Sequence, residues 1–318
     1  MVVVSSTSMT PIASQLAHEL GCQHVTIETR RFPDTEGYIR IATEDIDAIR
    51  HERVIVVSNT FPDSGIVETL LILDCIEDLR NGDLSNYSNI EPQLLPKVDE
   101  QILLAIPYFG YSRQDKRFKP GEVISAKAIG KLLSSKCDGI ICLDIHAPKV
   151  LEELDFPIAF TTAMPELAEH LSQTVKPDFI LSPDKGAIER ASMVAELMGC
   201  EFSYLEKVRI DARTIRHEAK DLDVVGKKVV IVDDMIATGG TICRAAEALR
   251  EQGAIEVHAA CSHGLFTGGA IPRLLRYVDD VHATGSLENA RDVIPCGKAL
   301  ARGVRELEQR LGWSSKLE

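Results

Sequence analysis

Short runs of continuous apolar residues punctuate the chain: VVVS at 2–5, RVIVVS at 53–58, QILLAIP at 101–107, GIICLDI at 139–145, DFILSP at 178–183 and KKVVIVDD at 227–234. Their apolar positions do not alternate with polar ones, which is the pattern of strands buried on both faces of a parallel sheet. Between these runs the spacing becomes helical. Within 63–82, Ile66, Leu70, Leu73, Ile76 and Leu79 recur at intervals of three and four, which predicts an amphipathic helix. Strands alternating with helices predict an α/β chain with largely parallel sheets. One stretch breaks the rhythm: NGDLSNYSNIEPQLLPKVDE, 81–100, places two prolines among Asn, Ser and Asp and reads as an irregular surface loop. The segment HAPKV follows a strand and starts a new strand–helix series, so a boundary is expected near 146–150, giving domains 1–146 and 147–318.

Length agrees with two domains, since 318 residues are about twice the ~150 of a typical one. No apolar run approaches the ~18 residues of a membrane span, and no basic stretch leads into an apolar signal core, so the expectation is a cytoplasmic protein without a membrane partner. Eight cysteines are scattered without a Cys-x-x-Cys pair, which favours buried free thiols over disulfides or zinc ligands. A net charge of −13 argues against nucleic acid as a partner. Any anionic ligand then needs a local reversal of charge. RQDKRFK at 113–119 provides one, with Arg113, Lys116, Arg117 and Lys119 against Asp115 alone, although such a run, taken by itself, also reads as a solvated loop.

The most informative stretch is KKVVIVDDMIATGGTICRAAEALREQGA, 227–254. A strand ends at Asp233 and Asp234, and a helix follows with Ile242, Ala245, Ala246 and Leu249 on one face before stopping at Gly253. Ligands of open α/β sheets sit beyond the carboxyl ends of strands, where this turn lies. Gly239 and Gly240 permit positive φ and put no side chain in the way, so successive amides can converge on an anion; Thr238 and Thr241 add hydroxyls, and the helix N-terminus adds partial positive charge. The pattern is that of a phosphate cradle. Adjacent carboxylates repel a phosphate by ~1–4 kcal/mol at about 4 Å in wet surroundings, so they must serve another part of the ligand: the hydroxyls of a polyol, or a magnesium ion bridging to more phosphate. A sugar phosphate answers to both halves. The competing reading makes the acids helix caps and the glycines a plain turn; the order of acids, loop and helix weighs against it.

VIVDDMIATGGT resembles the phosphoribosyl-diphosphate motif shared by type I phosphoribosyltransferases and ribose-phosphate diphosphokinases. Other segments separate the two. PYFGYSRQDKRFKPGEVISAKAIGKLL, 107–133, closely resembles a diphosphokinase signature that simple phosphoribosyltransferases lack. RRFPDTEGYIRI (30–41) resembles that family's adenine loop, LDIHA (143–147) and LSPDKGAIERA (181–191) its metal and ribose-phosphate segments, and YLEKVRIDART (204–214) its mobile catalytic loop. The likeness spans nearly the whole chain in the expected order and is closer in form to archaeal members than to bacterial hexameric ones.

The resemblance implies two type I phosphoribosyltransferase-like α/β domains, with the C-terminal helix packing back on the first. It places the active site between the domains and has a neighbouring subunit of a homo-oligomer (a dimer or a multiple of dimers) complete the ATP pocket. The implied reaction moves the diphosphoryl group of ATP to the 1-hydroxyl of ribose 5-phosphate, with Mg2+ as cofactor. Carried over by position, Phe32, Asp34 and Glu36 would contact adenine from the partner subunit. Arg113 and Gln114 would hold ATP, with Asp115, Lys116 and Arg117 nearby. His146 and Asp184 would be linked to the metal, Lys207 and Arg209 would stabilise the transferring group, Asp233 and Asp234 would bind the ribose hydroxyls, and Ala237, Thr238, Gly239, Gly240 and Thr241 the 5-phosphate. Three features depart from the family's pattern: Ala237 replaces a small polar residue, Thr35 replaces the glycine of the Phe-Pro-Asp-x-Glu loop, and the 81–100 segment is longer. Two other classes share parts of the pattern, a catalytically silent regulatory homologue and a phosphoribosyltransferase. Retention of Lys207, Arg209, His146 and both aspartates argues against the first, and the 107–133 signature against the second.

Overall fold

The computed structural model describes residues 1–82, 97, 99–209, 215–218, 222–289, 291 and 293–313, with the backbone alone at 206–209 and 215–218. The chain forms two compact units, Met1–Thr161 with the segment from Gly297, and Thr162–Cys296.

The first unit runs β1 (Val2–Ser6), α1 (Thr10–Leu20), β2 (Gln23–Arg31), β3 (Gly37–Arg40), α2 (Ile46–His51), β4 (Val54–Val57), α3 (Asp63–Asn81), β5 (Ile102–Ile106), α4 (Ser125–Ser134), β6 (Gly139–Leu143), α5 (Lys149–Glu152) and β7 (Ile158–Thr161). Its seven-stranded sheet has the order β3-β2-β1-β4-β5-β6-β7, parallel except for the antiparallel β2–β3 hairpin. The continuous apolar runs form its centre: β1, β4, β5 and β6 are buried at every position, because helices cover both faces. The expected α3 forms, with Ile66, Leu73, Ile76 and Leu79 buried.

The seam falls later than 146–150. β7 pairs in parallel with β6, Ile140 to Leu143 against Ile158 to Thr161, which ties α5 and β7 to the first unit. The C-terminal helix, Gly297–Arg310, also belongs there. Its Leu300, Val304 and Leu307 are buried, Thr161 Oγ1 donates to the Ala299 carbonyl at 2.7 Å, and the Gly297 N–H donates to Gln15 Oε1 at 3.2 Å. Gly303 allows this approach, since a Cβ there would lie 2.5 Å from Ile141 Cγ2.

The second unit contains α6 (Met164–Thr174), β8 (Phe179–Ser182), α7 (Ile188–Met198), β9 (Glu201–Tyr204), β10 (Glu206–Arg209), β11 (Ile215–Glu218), β12 (Lys228–Ile236), α8 (Gly240–Glu251), β13 (Glu256–Gly264), α9 (Ala270–Leu274) and β14 (Asp280–Ala283). Five strands form a parallel sheet in the order β14-β13-β12-β8-β9, and β10 pairs with β11 in a separate antiparallel ribbon. Successive residues of β12 face opposite cores: Val229 and Ile231 pack with Ile242, Ala245 and Leu249 of α8, while Val230 and Val232 pack with α6 and α7.

One polar chain crosses this apolar interior. His170 Nε2 lies 3.1 Å from His282 Nδ1, His282 Nε2 lies 3.2 Å from His258 Nδ1, and His258 Nε2 lies 2.8 Å from Glu256 Oε1. Each neutral ring can then donate to the next, ending on the carboxylate. Burial holds His282 down to about 4. All eight cysteines are free, and burial pushes the Cys137 thiol up to about 12.

Candidate active site

In the second unit, β12 delivers Asp233 and Asp234 to the carboxyl edge of the sheet, and 237–239 lead directly into α8. Asp234 is buried, and its N–H donates to Asp233 Oδ1 at 2.9 Å. Burial, then the charge of Asp234, pushes the Asp233 carboxyl well above the usual range, and the charge of Asp184 adds to this. Arg190 of α7 stands 4.0 Å from Asp234 Oδ2 and partly offsets the acids. The pair presents carboxyl oxygens able to accept from hydroxyl donors beside the loop.

Of the two glycines expected to permit positive φ, Gly239 takes it and Gly240 does not. Gly239 has φ 76° and serves as N-cap of α8; a Cβ there would lie 2.8 Å from Leu274 Cδ2. The first intrahelical bond runs from the Cys243 N–H to the Gly239 carbonyl at 2.9 Å, so the amides of Gly240, Thr241 and Ile242 have no carbonyl in the preceding turn to use. The 236–238 carbonyls are all occupied. That of Ile236 accepts from the Leu265 and Phe266 N–H groups at 3.1 Å each, that of Ala237 from the Thr267 N–H at 3.0 Å, and that of Thr238 from Arg273 at 2.8 Å. Ala237 therefore takes part through its backbone. Asp184 Oδ1 accepts from the Gly186 N–H at 2.8 Å, fixing its carboxylate at the turn before α7.

The first unit, described by itself, carries two further segments that hold sequence-predicted site residues. The 108–114 loop is anchored from behind: Asn59 Oδ1 accepts from the Tyr108 N–H at 2.6 Å and Thr60 Oγ1 from the Gly110 N–H at 2.7 Å. Gly110 is required there, because a Cβ would lie 2.6 Å from the Thr60 carbonyl oxygen. Beyond this anchor Arg113, Lys116, Arg117 and Lys119 are exposed, while Gln114 and Asp115 are half-buried. Among the described residues none of the four cations pairs with a carboxylate, so the local positive charge is available to a polyanion.

The second segment is the tip of the β2–β3 hairpin. Phe32 is 40% exposed and packs edge-on against Tyr38 at 5.9 Å, with Arg30 lying over both rings. The tip closes through the Thr35 N–H to the Phe32 carbonyl, the Phe32 N–H to the Glu36 carbonyl, and the Glu36 N–H to Asp34 Oδ1. Thr35 has φ 76°. A threonine thus holds the left-handed backbone that glycine adopts without strain.

The remaining expected residues are less gathered. His146 is exposed just after β6. Lys207 and Arg209 lie on β10, whose backbone pairs with β11, Lys207 opposite His217 and Arg209 opposite Ile215; their side chains lie outside the described residues, as do 83–96 and 98 of the irregular 81–100 segment. Among the described residues no three His, Cys, Asp or Glu side chains come together as a metal cage. Two residues absent from the sequence-based expectations stand at the site, Arg190 and Arg273. The first lies inside a quoted motif as an unremarkable helix cation, and the second is 35 positions from the carbonyl it meets.

Residues 155–278 match the phosphoribosyl transferase domain family. With a glycine-capped helix behind an acid pair at the carboxyl edge of a parallel sheet, the second unit is a phosphoribosyltransferase-type domain. Residues 1–80 and 98–136 match the N-terminal domain of ribose phosphate pyrophosphokinase. The ribose-phosphate pyrophosphokinase of Methanopyrus kandleri is 35% identical over 312 residues, covering 96% of this chain and 99% of that protein. That of Pyrococcus furiosus is 39% identical over 265 residues, covering 82% and 86%. The crystal structure of phosphoribosylpyrophosphate synthetase from Mycobacterium smegmatis aligns with a TM-score of 0.76 at 25% identity, over 97% of this chain and 99% of that one. The chain belongs to the ribose-phosphate pyrophosphokinase family.

Proposed function

We propose that the protein is a cytoplasmic ribose-phosphate diphosphokinase that transfers the diphosphoryl group of ATP to the 1-hydroxyl of ribose 5-phosphate, releasing AMP. The observation that carries this reading is the 233–241 loop, where an acid pair suited to sugar hydroxyls adjoins a backbone cradle suited to a phosphate. In this reading Asp233 and Asp234 accept from the ribose hydroxyls, and Ala237, Thr238, Gly239, Gly240 and Thr241 receive the 5-phosphate. Arg113 and Gln114, with Asp115, Lys116 and Arg117 beside them, hold the triphosphate. Phe32, Asp34 and Glu36 contact adenine in the site of a neighbouring subunit, which makes the working form a homo-oligomer.

Phosphoryl-type transfers pass through loose transition states with charge on the non-bridging oxygens, so the protein's contribution is positioning and cationic clamping. Lys207 and Arg209 would place charge where it develops on the transferred group. Mg2+ is the metal whose chemistry suits the donors present. Asp184 offers a fixed carboxylate, and the lack of a protein cage among the described residues matches an ion usually held by one or two carboxylates, waters and substrate phosphates. His146 would join through the metal's surroundings. When bound, Mg2+ neutralises polyphosphate charge and holds the in-line geometry.

The test is AMP release from ATP and magnesium with and without ribose 5-phosphate. Strict dependence on the sugar phosphate, with one phosphoribosyl diphosphate formed per AMP, is the expected result. Absence of AMP from folded protein across phosphate and metal conditions would overturn it, as would diphosphate release that requires a nucleobase.

A further inference from the structure

The carbonyls of Ile236, Ala237 and Thr238 are three consecutive acceptors, and all three are taken by one stretch of chain. The Leu265 and Phe266 amides serve the first, the Thr267 amide the second, and the Arg273 guanidinium the third. A trans peptide fixes each C=O on the opposite edge from the N–H that follows it. Turning those carbonyls toward 265–273 therefore turns the N–H groups of Ala237, Thr238 and Gly239 the other way. Three successive amides facing one side, followed by the open amides at the start of α8, make an anion-binding concavity.

The first two carbonyls are held by backbone, which persists whatever the side chains are. The third is held by a side chain. Arg273 donates through one terminal nitrogen to the Thr238 carbonyl at 2.8 Å and through the other to the Gly268 carbonyl at 2.9 Å. One guanidinium thus straps the last peptide of the loop to the segment behind it, a two-acceptor geometry that suits the planar fork of arginine. The next residue, Leu274, is buried and fills the space a side chain at Gly239 would need. Arg273 and Leu274 together set the orientation and the height of the 238–239 peptide.

We propose that Arg273 is a positioning residue for the 5-phosphate of the sugar substrate, aligning the Gly239 amide through the Thr238 carbonyl. This rests on the assignment of the 237–241 loop to that phosphate. Arg273→Met is expected to raise KM for ribose 5-phosphate about tenfold, the equivalent of one charge-assisted hydrogen bond of ~1.4 kcal/mol, and to leave KM for ATP and kcat near wild type. Arg273→Lys, able to reach one carbonyl, should recover part of the loss. Peptide-level hydrogen exchange on the substrate-free protein supplies a readout independent of turnover: the 265–267 segment, whose amides donate to the Ile236 and Ala237 carbonyls, should exchange faster in Arg273→Met, with the rest of the second unit unchanged.

Unchanged KM for ribose 5-phosphate together with unchanged exchange would overturn the proposal. So would a parallel rise in both KM values with a fall in Tm, the signature of general loosening. The loop assignment is tested separately in the wild-type protein, where ribose 5-phosphate should slow exchange across 236–242. Failure there removes the assignment, whereas faster exchange in Arg273→Met still measures the strap.

Discussion

In the second unit the groups proposed to face an anion are backbone amides whose directions are set by other backbone and by Arg273; in the first they are long exposed side chains on a loop anchored at its base by Asn59 and Thr60 and further along by Asp63 and Glu122. A backbone cradle is preorganised and loses little freedom when it binds, while exposed cations on long side chains share their attraction and lose rotamer freedom on closing over a ligand. The contrast implies that the second site depends on conformation and the first on charge. Substitutions should separate the two.

Gly239→Ala is the sharpest break. A Cβ at φ 76° and 2.8 Å from Leu274 costs about 2 kcal/mol or more through left-handed strain and overpacking, which predicts a KM for ribose 5-phosphate raised roughly thirtyfold, with little dependence on salt. Steady-state kinetics at two ionic strengths checks it. Arg113→Ala should show the reverse behaviour. Here KM for ATP rises only about three- to tenfold, because neighbouring cations remain, and the penalty shrinks as salt screens the loop. A salt-independent loss would show that Arg113 works by fixed geometry.

Acid should also separate the units. His282 titrates near 4 in the folded protein against an ordinary 6.5, so the unfolded chain binds the extra proton between those values. Stability contributed by the neutral ring is complete above pH 6.5 and drains away as pH falls toward 4. Calorimetry from pH 7 to 5 should show a falling Tm, and His282→Gln should flatten that dependence. The smallest expected effect is Thr35→Gly, a stabilisation of roughly 0.5–1 kcal/mol from relief of left-handed strain, partly offset by the greater freedom of the unfolded glycine. Thermal unfolding measures it; a destabilised variant would mean that the threonine side chain makes contacts outweighing its strain.

How legible each region is in the sequence follows the same division. The 227–254 stretch announces itself because a backbone-built site needs glycines and a helix start at fixed spacing, and the six continuous apolar runs all appear as strands. β2 is missed because its buried Val25 and Ile27 alternate with polar residues at a sheet edge. β13 is missed because His258, Ser262 and His263 interrupt its apolar pattern. His258 and His263 meet partners distant in sequence, His282 and Ser286, so no local spacing reveals that they are buried. The seam is misplaced for a similar reason, since the pairing of β6 with β7 is a property of the sheet. Arg273 carries no sequence signal, because its acceptor is a carbonyl and any residue supplies one.

The C-terminal helix carries a consequence for how the protein is made. Residues 162–296 are spliced into the first unit, between β7 and the helix that covers α1, β6 and β7. As the chain leaves the ribosome, the first 161 residues emerge without the segment that seals one face of their sheet. The second unit is synthesised whole before that segment arrives. Assembly thus inverts the order of the chain: the later unit can finish first, and the earlier one closes only when Leu300, Val304 and Leu307 reach the groove left waiting for them.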